Sequence, residues 1–139
     1  MSLFIDAYRE LFADIVAVVD TQDLDIMWKP AKEKEVENAG EVRSFSLTHQ
    51  LEGWDSPAPF YLLAPTRTYL GKHQLKNLAA LKDTDFLSKL LNAFIQGIDL
   101  TREDFIKQYN EDPTKYIPMY EVNAEKINRD LINILERAL

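Results

Sequence analysis

The chain offers few side chains that could perform acid–base or nucleophilic chemistry. It has two histidines, His49 and His73, and it has no cysteine. Thiolate metal ligands, cysteine nucleophiles and disulfides are therefore excluded, and so is a metal site built mainly from histidines. The four glycines stand at positions 40, 53, 71 and 97. This spacing assembles neither a phosphate-binding loop nor a dinucleotide fingerprint, so we predict no catalytic residue, no metal site and no cofactor.

A serine, a histidine and an aspartate stand near one another at Ser46, His49 and Asp55. Such a set can activate a serine nucleophile when the imidazole lies between the other two side chains. Residues 44–51 alternate apolar and polar side chains, which predicts a strand. Ser46 and His49 would then project from opposite faces, because their separation is odd. The pattern argues against a hydrolase and predicts a partly buried, hydrogen-bonded His49.

An arginine is followed six positions later by a histidine twice, at Arg43 and His49 and at Arg67 and His73. Each seven-residue match resembles the R-x4-6-H element of HEPN-type ribonucleases, in which both residues engage the scissile phosphate. The resemblance implies a metal-independent ribonuclease that uses Arg67 and His73. The family carries this element on a helix, whereas the first copy alternates as a strand does and Gly71 interrupts the second copy.

An aromatic turn is the more informative feature of the same region. Trp54 lies between Gly53 and Asp55 in a proline-bounded turn, and residues 44–82 carry four basic against two acidic side chains. Tryptophan, tyrosine and arginine are the residue types that dominate binding hot spots. The predicted partner-binding residues are Trp54, Asp55, Tyr61, Arg67 and Tyr69.

Charge favours a protein partner over a nucleic acid. The formal net charge is −7, and the acidic excess lies before residue 44 and after residue 82. Such a surface repels phosphate backbones and steers association toward a basic protein. We therefore predict a non-enzymatic protein-binding accessory module of the inhibitor, immunity or assembly type that bacteria and phages encode. Its binding would use the acidic surface and the aromatic turn.

A nucleic-acid mimic is the alternative function in the binding class. In this version the carboxylates stand in for phosphates and block a DNA- or RNA-handling enzyme. The carboxylates in question are Glu33, Glu35, Glu37 and Glu41, beside the cluster Asp20, Asp23 and Asp25.

Hydrophobic periodicity predicts the elements that would position these side chains. An N-terminal helix buries a stripe at helical spacing, while Asp6, Glu10 and Asp14 face water. The stripe consists of Phe4, Tyr8, Leu11, Phe12, Ile15 and Val19. The helix ends at residues 21–23, where polar side chains compete for backbone hydrogen bonds. Alternation or short apolar runs then predict strands at residues 24–29, 44–51 and 60–63, the last ended by Pro65.

Helical patterns follow Gly71. A short helix covers residues 75–82, and a very apolar one, expected at the centre of the core, starts after Thr84 and ends at Gly97. Thr101 and Asp104 resemble a capping box that starts a third helix, which ends near residue 110. Asn123 caps the last one. The predicted fold class is α+β, with an N-terminal helix, a small antiparallel sheet of two to three strands, and about four C-terminal helices packed as a layer.

Length and composition predict a single globular domain over residues 1–139. With 46% hydrophobic residues, a chain of this length can bury a core without metals or crosslinks. No stretch reaches the ~20 uninterrupted apolar residues of a membrane span. The N-terminal segment contains charges that are atypical of a signal sequence. We expect a cytoplasmic protein.

Overall fold

The computed structural model of the protein describes residues 2–29, 43–49, 59–82, 84–111 and 120–139. All regular secondary structure in these ranges is helical, so the predicted α+β fold with a small antiparallel sheet is wrong. The helices are α1 (Ser2–Thr21), α2 (Pro59–Leu62), α3 (Ala64–His73), α4 (Leu78–Leu81), α5 (Phe86–Glu111) and α6 (Tyr120–Ala138).

Helix α1 confirms the prediction for the N-terminal segment. The members of its predicted stripe are at most 3% exposed, apart from the half-buried Phe12. The helix ends at Thr21, and Gln22 follows with φ of 59°, in the left-handed region that terminates helices. Asp6 and Glu10 are exposed, as expected. Asp14 is fully buried, and the expectation that it faces water is wrong.

The first predicted strand is a series of turns. The Asp23 carboxylate accepts a hydrogen bond from the Asp25 backbone N–H at 3.0 Å. The N–H groups of Trp28 and Lys29 donate to the Asp25 carbonyl at 2.9 and 3.1 Å. These local bonds satisfy the backbone without a sheet partner, so alternation of apolar residues alone does not produce a strand here.

The second predicted strand is an irregular strap, residues 43–49, that lies against α3. Its Phe45 N–H donates to the Leu24 carbonyl at 3.0 Å, and its His49 N–H donates to Thr68 Oγ1 at 2.7 Å. The third predicted strand is helical, because residues 60–62 belong to α2. Pro65 is the second residue of α3 and does not end a strand, since a first-turn proline lacks only an N–H that has no partner within the helix.

Helix α5 is continuous over 26 residues, so the predicted break between Gly97 and Thr101 is wrong. The Thr101 hydroxyl donates to the Gly97 carbonyl at 2.8 Å and therefore does not cap a new helix. Asp104 does not complete a capping box but pairs with Lys126 across the α5–α6 contact at 2.5 Å. The predicted start holds, because Thr84 Oγ1 accepts a hydrogen bond from the Phe86 N–H at 3.2 Å.

The long helices pack antiparallel around one core. The Phe4 and Phe105 rings lie 5.4 Å apart, and the Phe12 and Phe94 rings 6.0 Å apart, so α1 and α5 run in opposite directions. Asn123 lies inside α6 and not at its N-cap, and it exchanges amide hydrogen bonds with Gln108 of α5. Within the described ranges, no helix is both long enough and apolar enough to cross a membrane.

Candidate functional site

The most strongly polar feature of the interior is an ion-pair cluster formed by Asp14, Arg43 and Arg67. Asp14 and Arg67 are 0% exposed, and Arg67 Nη1 donates to Asp14 Oδ2 at 2.7 Å. Arg43 Nε donates to the same oxygen at 3.1 Å, and Arg43 Nη2 donates to Asp14 Oδ1. One carboxylate of α1 therefore joins the strap to α3.

Burial and pairing act on the two arginines of the cluster in opposite directions. Burial lowers the pKa of Arg67 below its ordinary value, although the Asp14 carboxylate opposes this shift. Hydrogen bonding to Asp14 raises the pKa of Arg43. The Arg67 guanidinium also donates to the Arg43 carbonyl at 3.0 Å and lies 4.8 Å from the Phe45 ring centroid, a cation–π distance. Its Nε has no hydrogen-bond partner among the described residues.

The periodicity of α1 contains a signal for the burial of Asp14. It lies three positions after Leu11 and four before Val18, and both of these residues are fully buried. Residues at this spacing share one helix face. A carboxylate on a buried face needs a basic partner, and this requirement would have identified an interior ion pair. The identity of the partner, Arg67, could not follow, because its segment was not predicted to be helical.

The hydroxyl-rich part of the strap is a hydrogen-bonded anchor and lacks the geometry of a catalytic triad. The Ser44 and Ser46 hydroxyls both donate to Asp25 Oδ1, the Ser46 bond being 2.7 Å long. His49 Nε2 lies 2.9 Å from the Ser44 carbonyl oxygen and donates to it. No imidazole therefore lies between a serine hydroxyl and a carboxylate in this strap. His49 is half-buried and hydrogen-bonded, as predicted.

The five predicted partner-binding residues do not form one described surface. Trp54 and Asp55 lie outside the described residues. Tyr61 and Tyr69 are half-buried on α2 and α3, while Arg67 lies entirely inside the core. A partner docking on α3 would therefore reach Tyr69 but not the Arg67 guanidinium. Binding through the aromatic residues stays a prediction.

The ribonuclease alternative requires Arg67 and His73 to act on the same phosphate. Arg67 and His73 share helix α3, and Gly71 does not interrupt it. The Arg67 guanidinium is buried against Asp14, whereas His73 is exposed and its ring lies 4.9 Å from the Tyr69 ring. The two side chains therefore do not converge on a common phosphate position.

The carboxylates of the proposed mimic are only partly described. Asp23 binds Lys29, and Asp25 binds the two strap serines. Glu33, Glu35, Glu37 and Glu41 lie outside the described residues. Asp23 and Asp25 are therefore used for internal bonds, whereas Asp20 is exposed at the end of α1.

Helix α5 presents an apolar surface on one of its outer flanks, continued by α1. Leu91, Ile95 and Ile106 are 44%, 48% and 53% exposed, and Val16 of α1 is 36% exposed. Phe12, Leu87 and Ile98 are half-buried beside them and pack on the core. These residues recur three, four, seven or eight positions apart within each helix, so each set shares one flank of its helix. The contact of the Phe12 and Phe94 rings, 6.0 Å apart, places the α1 set beside α5. We call this surface the outer apolar face and define it as Phe12, Val16, Leu87, Leu91, Ile95, Ile98 and Ile106.

The outer apolar face was not predicted, because every apolar residue of the segment was assigned to the core. Leu90 and Phe94 are indeed buried, whereas Leu91 and Ile95 point outward. The signal was the width of the stripe. The adjacent apolar pairs Leu90–Leu91 and Phe94–Ile95 lie one turn apart, and together they span more of the helix circumference than one packed helix covers.

Neither metal ligation nor similarity to known proteins assigns a function to these surfaces. In the part of the chain that the structure describes, no group of three or more His, Asp or Glu residues could hold a metal ion. Comparison with protein-family models, curated proteins and solved structures finds no match for this chain.

Proposed function

We propose that this chain is a non-enzymatic protein-binding accessory module, of the inhibitor, immunity or assembly type, that engages its partner through the outer apolar face. The observation that carries the proposal is the exposure of Leu91, Ile95 and Ile106 along one flank of α5. Single exposed apolar residues are common on folded proteins. The stripe Leu87, Leu91, Ile95 and Ile98 is uninterrupted, and Arg102 separates it from Ile106. An apolar patch that is rimmed by polar residues in this way is typical of a surface that another molecule covers.

The geometry of the face favours a helical partner. Two antiparallel helices with apolar side chains on a shared outer flank form a groove into which a third helix can pack. The partner helix would present apolar residues at helical spacing, as in other helix-in-groove complexes. Apolar burial would provide most of the affinity, since each large aliphatic side chain removed from water contributes roughly 1.5–3 kcal/mol.

Charges beside the face favour a partner helix that carries carboxylates. Arg102 lies four positions from both Ile98 and Ile106, and Arg9 lies three positions before Phe12. Arg102 pairs with Asp99 at 3.8 Å and Arg9 pairs with Asp6 at 3.6 Å, and all four side chains are at least half exposed. Exposed pairs of this kind contribute only about 0–1 kcal/mol, so a partner carboxylate can replace either acid.

The two arginines lie toward one end of the face. Arg9 falls between Phe4 and Phe12 on α1, whose rings contact Phe105 and Phe94 of α5. Arg102 falls between those two α5 residues. The partner carboxylates should therefore lie near one end of its helix, a pattern that distinguishes this site from non-specific apolar adhesion.

A display library of amphipathic helical peptides, randomised at their charged positions, tests the proposal with the full chain. We expect enriched peptides to combine an apolar stripe with Asp or Glu near one end. Leu91→Ser/Ile95→Ser should weaken their binding by roughly tenfold or more, as for truncation at the centre of an interface. Lys89→Ser/Gln96→Ser, on the neighbouring polar flank of α5, is the matched control and should bind as the natural chain does.

Three outcomes would overturn the proposal. Peptides could fail to enrich, or enriched peptides could bind Leu91→Ser/Ile95→Ser as well as they bind the natural chain. Sedimentation equilibrium could instead show a dimer that Leu91→Ser/Ile95→Ser dissociates, which would make a second copy the occupant of the face.

The proposal includes a cytoplasmic setting. This is supported by a chain that contains no cysteine and therefore needs no oxidising compartment to form disulfides.

A further inference from the structure

A second surface, which shares no residue with the outer apolar face, lies at the C-terminal end of α3. It is formed by Tyr69, Lys72 and His73 of α3 and by Lys76 of the turn that follows, and we call it the basic end. Tyr69, Lys72 and His73 stand three and four positions apart, so they share one helix face. Lys72, His73 and Lys76 are exposed, and Tyr69 is half-buried.

The sequence around the basic end contains no acidic residue. Residues 56–82 include no aspartate or glutamate, although the whole chain has 23 acidic and 16 basic residues. The carboxylates that balance basic side chains elsewhere are therefore missing along this segment. A local positive charge persists within a chain whose net charge is −7.

The ion pairs of the structure show the same contrast. Among the described residues outside the segment, seven basic side chains pair with carboxylates, and they are Arg9, Lys29, Arg43, Lys89, Arg102, Lys126 and Arg129. Inside the segment, the buried Arg67 pairs with Asp14 of α1. Among the described residues, neither Lys72 nor Lys76 forms an ion pair with a carboxylate. Interaction with the helix dipole explains in part why basic residue types stand at Lys72 and His73, in the last turn of α3. It does not explain the basic residue Lys76, which lies beyond the helix end.

An aromatic pair holds the basic end in a defined shape. The Tyr69 and His73 rings lie 4.9 Å apart with planes inclined by 32°. Gln74 Nε2 donates to the Tyr69 hydroxyl at 3.3 Å. Tyr69 also packs on the hydrophobic core, which fixes the base of its side chain. Lys72 and Lys76 therefore lie close in sequence to a positioned aromatic surface, and tyrosine is among the residue types enriched in protein-binding hot spots.

We propose that the basic end binds an acidic segment of a partner protein. Its unpaired lysines attract carboxylates, and the Tyr69–His73 pair offers contact area for the backbone and side chains between them. A short peptide can bind here without crossing the acidic remainder of the surface. A nucleic acid long enough to bind tightly would bring further phosphates against that remainder, which makes it the less favourable ligand.

Fluorescence anisotropy with a labelled oligoglutamate peptide tests this assignment, with labelled oligoglutamine and oligothymidylate as comparisons. We expect the full chain to bind oligoglutamate at low salt and to lose this binding as salt increases, because exposed charges are screened. Lys72→Gln/Lys76→Gln should weaken binding by roughly 2- to 30-fold, from the 0.2–1 kcal/mol typical of each of the two exposed pairs. Lys107→Gln/Arg137→Gln, which removes two exposed charges elsewhere, should leave it unchanged.

The same titrations contain the outcomes that would overturn the assignment. Oligoglutamate that fails to bind, or that binds Lys72→Gln/Lys76→Gln as well as the natural chain, removes the site. Tighter binding of oligothymidylate with the same lysine dependence assigns the basic end to nucleic acid instead. Circular dichroism of both double variants separates lost binding from lost structure. Because no residue of the outer apolar face is changed, failure here leaves the proposed function untouched.

Discussion

Asp14 is the residue on which the interior electrostatics of this protein depend. Its carboxylate is fully buried and accepts hydrogen bonds from both Arg43 and Arg67. A buried ion pair contributes little net stability compared with an apolar pair of the same shape, because both charges lose their hydration. Removal of one partner strongly destabilises the fold, since the remaining charge stays buried without compensation.

Asp14→Asn should therefore be strongly destabilising. The substitution keeps the shape of the side chain but leaves the buried Arg67 guanidinium without a counter-charge, and we expect a loss of about 3–5 kcal/mol in the free energy of unfolding. Urea unfolding followed by circular dichroism measures it. The matched control is Asp6→Asn, which breaks only the exposed pair with Arg9 and should cost about 0–1 kcal/mol. Equal losses in the two variants would show that the buried cluster is not stabilised as we describe.

The buried Tyr8 should make the free energy of unfolding depend on pH under alkaline conditions. Burial raises the pKa of Tyr8 to about 12, and its hydroxyl lies 3.2 Å from the Thr101 hydroxyl. Because Thr101 donates to the Gly97 carbonyl, Tyr8 is the donor in that contact. The unfolded chain ionises near the ordinary pKa of about 10, whereas the folded chain stays protonated. The stability from this group is therefore fully present below pH of about 10 and is lost as pH rises through about 12.

The size of this alkaline effect follows from the pKa shift. A shift from 10 to about 12 corresponds to a loss of about 2–3 kcal/mol across that pH range. Tyr8→Phe should be less stable at neutral pH by about 1 kcal/mol through the lost hydrogen bond. Its unfolding free energy should then fall less steeply above pH of about 10 than that of the natural chain. Parallel pH profiles for the two chains would exclude a buried, protonated Tyr8.

At the scale of elements, two glycines allow close contacts between neighbouring segments. A Cβ atom at Gly71 would lie 2.0 Å from the Phe45 carbonyl oxygen, so the strap rests directly on α3. At Gly97 a Cβ atom would lie 3.0 Å from Tyr8 Cε1 and 3.1 Å from Leu131 Cδ1. Backbone atoms move less readily than the ends of side chains, so Gly71 should tolerate an added Cβ atom less well than Gly97 does.

Gly71→Ala should therefore cost more than Gly97→Ala. An exposed helical Gly→Ala substitution gains about 1 kcal/mol from helix propensity. At Gly97 the overpacking penalty of about 1–3 kcal/mol offsets this gain, so we expect a small net loss. At Gly71 the strap must move away from α3, with loss of the Phe45 packing and of the His49–Thr68 hydrogen bonds. Urea unfolding of both variants gives the ranking, and the reverse order would contradict the described strap position.

The elements that periodicity predicted well are those whose packing is uniform along their length. Helix α1 has one buried stripe over five turns, and its end coincides with residues that favour turns. The three predicted strands were wrong because short alternating or apolar runs do not distinguish a strand from turns, from a segment lying on a helix or from a short helix. In the strap, Phe45 is buried because it stacks under Arg67, not because it belongs to a sheet face.

Long-range contacts also explain the error within α5. Gly97 and Thr101 have the residue types of a helix stop and a helix start, but both contact Tyr8 from α1. Gly97 provides room for the Tyr8 ring, and Thr101 accepts the Tyr8 hydrogen bond. Such roles depend on a partner 89 or more positions away in the sequence. Local propensity cannot reveal them, and for the same reason the ion-pair partner of Asp14 was not identified.

At the scale of the whole molecule, the described helices share one hydrophobic cluster. Its buried members come from α1, the strap, α2, α3, α5 and α6, and include Phe45, Leu63, Leu90 and Leu131. A polar bridge reinforces the contact between α3 and α6. Asn128 Oδ1 accepts from the Thr66 hydroxyl at 2.7 Å, and Asn128 Nδ2 donates to the Leu62 carbonyl at 2.7 Å. The described parts of the molecule therefore have no separate cores that could unfold independently.

A shared core predicts a single cooperative unfolding transition. We expect urea unfolding curves from far-ultraviolet circular dichroism and from tryptophan fluorescence to coincide, as for most small domains. Leu131→Ala removes a fully buried side chain and should lower the unfolding free energy by about 2–5 kcal/mol. Because the core is shared, both probes should shift to the same lower midpoint while the slope stays unchanged. Two separated transitions, or a midpoint shift seen by circular dichroism alone, would mean that α6 unfolds apart from the segments that carry the two tryptophans, Trp28 and Trp54.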